Sequence, residues 1–351
     1  MATAPSTTRT RIETIGGRPV DRNAPVLEVQ DLQVEFRIED GIVAAVNGLG
    51  YKVHEGETIA ILGESGSGKS VSAQAVMGIL DTPPGYVTAG SVKFRGVELL
   101  DLPDDVRARE VRGSRIAMVF QDALTALNPV FTVGWQIGEL FRKHLGLSKK
   151  EARERAVELL ERVKIPSARD RVNAYPHEFS GGMRQRVMIA MALALDPDII
   201  IADEPTTALD VTVQAQIMEL FADLQAESGM GLVLITHDLG VVAEVADHVV
   251  VMYAGARMEE GPIDYVFDQP THPYTQGLMN SIARPDVHLE RLMPISGSPP
   301  DLLHIPSGCP FHPRCPHSQA RCISDVPIYE PVGTDHMAAC HFWREIRDGR
   351  A

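Results

Sequence analysis

No run of 18 or more apolar residues occurs in this 351-residue chain, which excludes an ordinary membrane-spanning helix. Any work at a membrane then has to pass through partners. Met1 to Arg11 lack the apolar core of a secretory signal, so the chain is predicted to stay in the cytoplasm. Positive charge is scarce: 33 Lys and Arg stand against 47 Asp and Glu, a net charge of −14. The basic footprint of a duplex-DNA binder is therefore missing. Cysteine is absent before position 309. No internal repeat is visible, so a solenoid is not indicated.

What is present reads as an α/β chain with enough apolar residues, 44%, for a sizeable core. Residues 1–25 are rich in Thr, Ser, Pro and Arg and are predicted to form a flexible tail. From Val26 the texture changes. Leu27-Glu28-Val29 and Leu32-Gln33-Val34-Glu35-Phe36 alternate like half-buried strands. Thr58–Leu62 is a short apolar run that stops at Gly63, and Ser70 to Leu80 reads as a helix. The stretch 134–174 is largely helical, with Ser148 and Glu151 spaced as a capping box. Ala152, Ala156, Leu159, Leu160 and Val163 then recur at helical spacing. Two more apolar runs, Ile199–Ala202 and Leu232–Ile235, flank a helix predicted over Val211–Ser228. Such alternation predicts a largely parallel sheet covered by helices, with ligands at the carboxyl ends of its strands. After Gly261 the pattern weakens, and Pro, His and Cys become frequent.

The sharpest signal is Gly63-Glu64-Ser65-Gly66-Ser67-Gly68-Lys69-Ser70, which fits G-x-x-x-x-G-K-[ST] between a strand and a helix. Its glycines let backbone N–H groups turn toward phosphate oxygens. Lys69 supplies positive charge to the β- and γ-phosphates, and Ser70 a hydroxyl for Mg²⁺. Asp203, at the end of a buried run, is the candidate to hold Mg²⁺. Glu204, next in line, is the candidate general base for water. His237 closes the following apolar run and is a candidate to contact the γ-phosphate. Ser180-Gly181-Gly182 opens a further helix, 111 residues after Lys69 and 23 before Asp203. A Ser-Gly-Gly helix start is on its own a weak anion-binding signal.

Taken in order, Gly63–Ser70, Gln121, Ser180–Gln185, Asp203-Glu204, Ala208-Leu209-Asp210 and His237 resemble the ATP-binding cassette (ABC) ATPases over about residues 26–261. The resemblance implies a P-loop NTPase cassette with a RecA-like core, an antiparallel β subdomain and a helical subdomain at about 122–195. It also implies a head-to-tail dimer with ATP sandwiched between two chains. Ser180, Gly181, Gly182 and Gln185 would then face the partner's nucleotide, and Asp210 would cross the dimer axis. Gln121 would sense Mg²⁺, and Phe36 would stack on adenine. Ser65, Gly66, Ser67 and Gly68 belong to the phosphate cradle in the same scheme.

Gln121–Pro129, with its Leu-Asn-Pro ending, is similar to the peptide-importer branch, as are Pro270–Thr275 and the Cys-bearing segment from Cys309. Nickel and glutathione importers share that branch. The implied partners are a second ATPase subunit, a paralogue in that branch's pattern, two transmembrane permease subunits and an extracytoplasmic peptide-binding protein, with no nucleic acid. The implied location is the cytoplasmic face of the cell membrane. A soluble ABC ATPase outside transport is the rival reading.

Residues 262–351 are predicted to form an accessory region with a four-cysteine metal site. Cys309, Cys315, Cys322 and Cys340 are separated by five, six and 17 residues. Clustered cysteines in a reducing compartment suggest metal before disulfide. The close C-x₂₋₄-C pair usual for zinc is missing. Four thiolates suit an iron–sulfur cluster. The branch resemblance favours [4Fe–4S], with zinc, or free thiols without metal, as the alternatives. His312, His317 and His341 are expected to be ordinary packed or solvated histidines.

Overall fold

The computed structural model describes residues 13–207, 209–281 and 295–350. The chain divides into two units. One comprises residues 13–27, 54–56 and 94–232; the other comprises 28–53, 57–93 and those from 233 onward.

In the first unit, strands Ile116–Val119 and Ile199–Asp203 pair in parallel, with Ile116 opposite Ile199 and Val119 opposite Ala202. Both are buried along their whole length. That explains why they read as continuous apolar runs rather than as alternation. The helices Val133–Leu145, Lys149–Arg162 and Gly181–Leu193 pack on one another. Val133, Ile137 and Phe141 lie one turn apart and form the buried stripe of the first of these. Thr132 opens that helix by accepting the Trp135 N–H, and Gly146, at φ 67°, closes it. Ser148 and Glu151 form the reciprocal capping box predicted from their spacing. Such a cap contributes about 1 kcal/mol. The helix Val211–Ser228 has the predicted bounds.

Residues 13–25 depart from the flexible tail expected there. Thr14–Ile15 pairs antiparallel with Arg18–Pro19, and Ile15 is fully buried. The Gly16 N–H donates to the Glu110 carboxylate at 2.8 Å. Gly16 and Gly17, both at positive φ, make a two-residue turn that the polar composition concealed. Residues 1–12 of the expected tail lie outside the described part.

In the second unit, Thr58–Leu62 is wholly buried and pairs in parallel with His248–Tyr253. Burying Ile59, Ile61 and Leu62 stabilises the fold by about 1.5–3 kcal/mol each. His248–Tyr253 pairs antiparallel with Ala256–Pro262, followed by His336–Ala338 and Glu330–Gly333. The sheet here is therefore mixed: its antiparallel part begins at Ala256–Pro262 and is extended by two strands of the C-terminal region. A second sheet orders Gly41–Val53, Leu27–Ile38 and Gly85–Phe94 as neighbours.

The C-terminal region is not a loose appendage to this unit. Tyr274, Met279 and Phe311 share one hydrophobic core with Leu62, Val251 and Tyr253. Glu259, fully buried on Ala256–Pro262, fastens the segment further. Its carboxylate accepts from the Thr271 N–H and hydroxyl, both at 2.7 Å, and from the His272 N–H at 3.0 Å. His336 Nε2 lies 2.8 Å from the same carboxylate. Among the described residues, no helix is long and apolar enough to cross a membrane.

Candidate functional site

In the second unit, Gly63–Ser70 joins strand Thr58–Leu62 to helix Lys69–Met77. Its tight curl depends on two glycines. Gly68 holds φ at 96°, and a Cβ there would lie 2.1 Å from the Ala45 carbonyl oxygen. A Cβ on Gly63 would lie 2.2 Å from the Met252 oxygen. Lys69 folds its side chain into the loop, where Nζ donates to the Gly63 and Glu64 carbonyls at 2.8 and 2.9 Å. The Ser67 hydroxyl is buried and has no hydrogen-bond partner among the described residues. Ser65 and Gly66 are exposed, and Ser70 is half-buried on the first helical turn. Loop amides, the Lys69 ammonium and the helix dipole together make an anion site.

His237 directly follows strand Gly231–Thr236 and is exposed. Asp238 behind it caps helix Leu239–Val245 by accepting from the Gly240 and Val241 N–H groups. Phe36 is half-buried near the end of Leu27–Ile38, packed against Gly85.

In the first unit, Asp203 ends its strand almost buried, at 5% exposure. Glu204 then turns the chain with φ at 44°, a left-handed conformation unusual for a residue other than glycine. Such strain costs about 1–3 kcal/mol and gathers at functional sites. One Glu204 oxygen accepts from the Gln121 amide at 3.0 Å and from the Thr207 hydroxyl at 2.9 Å. Gln121 and Glu204, 83 residues apart in sequence, are thus brought together. The carboxylate is aimed by two donors, of which Thr207 was not foreseen.

The Ser-Gly-Gly start also lies in this unit. Ser180 and Gly181 are exposed. The Ser180 hydroxyl accepts from the Met183 N–H at 3.4 Å and caps helix Gly181–Leu193. Gly182 allows close approach to Val213, whose Cγ1 would lie 2.6 Å from an added Cβ. Gln185, one helical turn after Gly181, is 4% exposed. Asp210 is the N-cap of Val211–Ser228, accepting from the Val213 N–H at 3.0 Å. Ala208, from the same motif, lies outside the described residues.

Two residues that sequence reasoning missed act on the phosphate loop within the second unit. The Glu64 N–H donates to the Tyr274 hydroxyl at 2.9 Å. Arg314 grips the Glu64 carboxylate through both terminal nitrogens, at 2.6 and 3.0 Å. Tyr274 lies in the segment Pro270–Thr275, which marked the branch without suggesting this contact.

Cys309, Cys315, Cys322 and Cys340 are free thiols that line one cavity. Burial pushes Cys309 up, Cys315 up to about 11 and Cys340 up to about 12; neighbouring cysteines add to the rise. Among the described residues, no group of three or more His, Cys, Asp or Glu is drawn close enough to hold one ion. A tetrahedral zinc site requires that closeness. His312 Nδ1 and His341 Nε2 each lie 2.9 Å from a backbone carbonyl oxygen, those of Cys309 and Asp325.

Known proteins share both parts of this chain. The ABC transporter family profile matches residues 46–207. The profile of the oligopeptide/dipeptide transporter C-terminal region matches residues 258–322. A putative peptide import ATP-binding protein of Brucella melitensis is 50% identical over 332 residues, covering 92% of this chain and 98% of that one. The dipeptide transport ATP-binding protein DppD of Bacillus subtilis is 50% identical over 326 residues, covering 93% and 96%. Among solved structures, the dimeric ATP-binding cassette MJ0796 in a post-hydrolysis state with ADP and Pi is 30% identical, with a TM-score of 0.61, covering 68% of this chain and 98% of that one. With its phosphate loop, its aimed Glu204 and its clasped C-terminal segment, the chain belongs to the ABC transporter ATP-binding proteins, in the branch with the oligopeptide/dipeptide C-terminal region.

Proposed function

We propose that this chain hydrolyses ATP to power peptide import across the cell membrane, as one of two cassettes on its cytoplasmic face. The observation that carries the catalytic reading is Glu204, held in a strained turn with its carboxylate aimed by Gln121 and Thr207. Gly63–Ser70 would take the phosphates. Incoming phosphate oxygens would replace the two loop carbonyls as partners of Lys69. Ser70 and Asp203 would hold Mg²⁺, which neutralises charge on the phosphates. Glu204 would accept a proton from water as the water oxygen bonds to the γ-phosphorus. The bond from that phosphorus to the β–γ bridging oxygen breaks, leaving ADP and phosphate. His237 would contact the γ-phosphate, and Phe36 would stack on adenine.

The exposed Ser180-Gly181 helix start suits the partner cassette's nucleotide, and Asp210 would lie at the same dimer interface. A paralogue is the partner favoured here. Leu124, Val130, Phe131 and Trp135, in the stretch of chain that follows Gln121, leave apolar side chains exposed. Such a patch suits docking to a membrane permease subunit. Peptide selection then rests with the permeases and an extracytoplasmic binding protein. Peptide as cargo is supported by the names and the C-terminal regions of the relatives.

The four thiols would hold a [4Fe–4S] cluster. All four thiols line one cavity, as the four thiolate ligands of one cluster must. When bound, such a cluster would tie four chain positions together and take the place of thiol protons.

The test is ATP hydrolysis by the membrane-extracted complex with its binding protein. Stimulation by di- or oligopeptides is expected. Stimulation by nickel or glutathione alone would retain the motor and replace the cargo.

A further inference from the structure

Glu64 is an awkward residue for a phosphate loop. It puts a carboxylate at the second position of an eight-residue anion cradle, where it opposes the charge of a polyphosphate. The fold meets this with a residue 250 positions away. Arg314 Nη1 and Nη2 donate to Glu64 Oε2 and Oε1 at 2.6 and 3.0 Å, a two-pronged pair. The Arg314 side chain is 5% exposed and that of Glu64 27%, so solvent screens the pair only in part. The guanidinium is itself fixed. Nε donates to the Ser296 carbonyl at 2.9 Å, and Nη1 lies 3.3 Å from the Tyr253 hydroxyl oxygen.

Every polar group of Glu64 has a partner that shapes the loop. Its N–H donates to Tyr274, its carboxylate binds Arg314, and its carbonyl receives Lys69. Two of these three partners come from the C-terminal segment. Arg314 also ends the short turn His312–Arg314, between Cys309 and Cys315, both of which line the thiol cavity.

We propose that Arg314 is a positioning residue for ATP: it neutralises Glu64 and turns its carboxylate from the cradle, making the cysteine-bearing segment part of the phosphate loop's support. This rests on the reading that Gly63–Ser70 binds ATP. The role belongs to nucleotide binding, because Arg314 acts through Glu64 and not on the water that Glu204 is to activate.

The experiment is a double-substitution cycle on the full complex, with fluorescent ATP titration and steady-state hydrolysis. R314Q is expected to weaken ATP binding and raise KM about tenfold while kcat changes by less than about twofold. In an E64Q background the same R314Q change is expected to cost less than about twofold, because the carboxylate it neutralises is gone. Thermal melting checks that each variant folds. If R314Q does not fold, R314K decides: loss of the two-pronged grip weakens ATP about threefold, and E64Q removes that effect. R314Q or R314K binding ATP like the parent overturns the proposal, as does an equal loss with and without Glu64. Failure of the parent complex itself to bind ATP would instead overturn the nucleotide reading.

Discussion

The Gln121 amide donates to a Glu204 carboxylate oxygen at 3.0 Å, and the Thr207 hydroxyl donates to the same oxygen at 2.9 Å. Two donors on one oxygen fix the direction in which the carboxylate faces. Glu204→Gln keeps the size and loses the base. Hydrolysis is expected to fall by at least about a hundredfold while ATP binding persists. Single-turnover hydrolysis beside nucleotide titration measures both. Equal hydrolysis in the variant would remove Glu204 from the role.

Gly68→Ala tests the phosphate loop. The new Cβ meets the Ala45 carbonyl and demands φ near 96° from an L-residue. A destabilisation of more than about 2 kcal/mol is expected, together with loss of ATP binding. Chemical denaturation and nucleotide titration report the two effects. A variant as stable as its parent would mean that the loop relaxes easily.

His272 sets a pH dependence. Burial pushes its imidazole down to about 4, although Glu259 pulls the other way. Nδ1 accepts the Tyr274 N–H at 3.0 Å, so the neutral ring is the one that fits. Between about pH 4 and 6.5 the unfolded chain binds more protons than the folded one at this site, so stability rises with pH. The contribution is complete above about pH 6.5 and falls away toward pH 4, by up to about 3 kcal/mol. Denaturation midpoints across this window should flatten in His272→Gln.

Glu259→Ala would strand the Thr271 and His272 donors that its carboxylate satisfies. A loss of about 3–5 kcal/mol is expected from breaking this buried network. Limited proteolysis should then cut the C-terminal segment first.

Anaerobic purification tests the thiols. About four iron and four sulfide per chain are expected, with broad visible absorbance. Replacing Cys322 by Ser should abolish that absorbance and lower the melting temperature. Zinc in place of iron, or no metal in the intact protein, would contradict the assignment.

Much of the chain was legible because local chemistry set it. The Ser148–Glu151 cap, the buried run Thr58–Leu62 and the cradle glycines each announce themselves within a few residues. Motif order marked Gln121 and Glu204 singly, whereas their pairing and the Thr207 contact needed the folded turn. Arg314 was hidden by distance: no spacing rule links positions 64 and 314. The hairpin at Thr14–Pro19 was hidden by polar composition.

The central claim is tested most directly by uptake of a labelled dipeptide into proteoliposomes. These would hold the complete complex, with ATP on the cassette side and binding protein on the other. Uptake that requires ATP and disappears with Glu204→Gln is the predicted result. Uptake that persists in that variant, or none for any peptide despite ATP hydrolysis, would contradict the account.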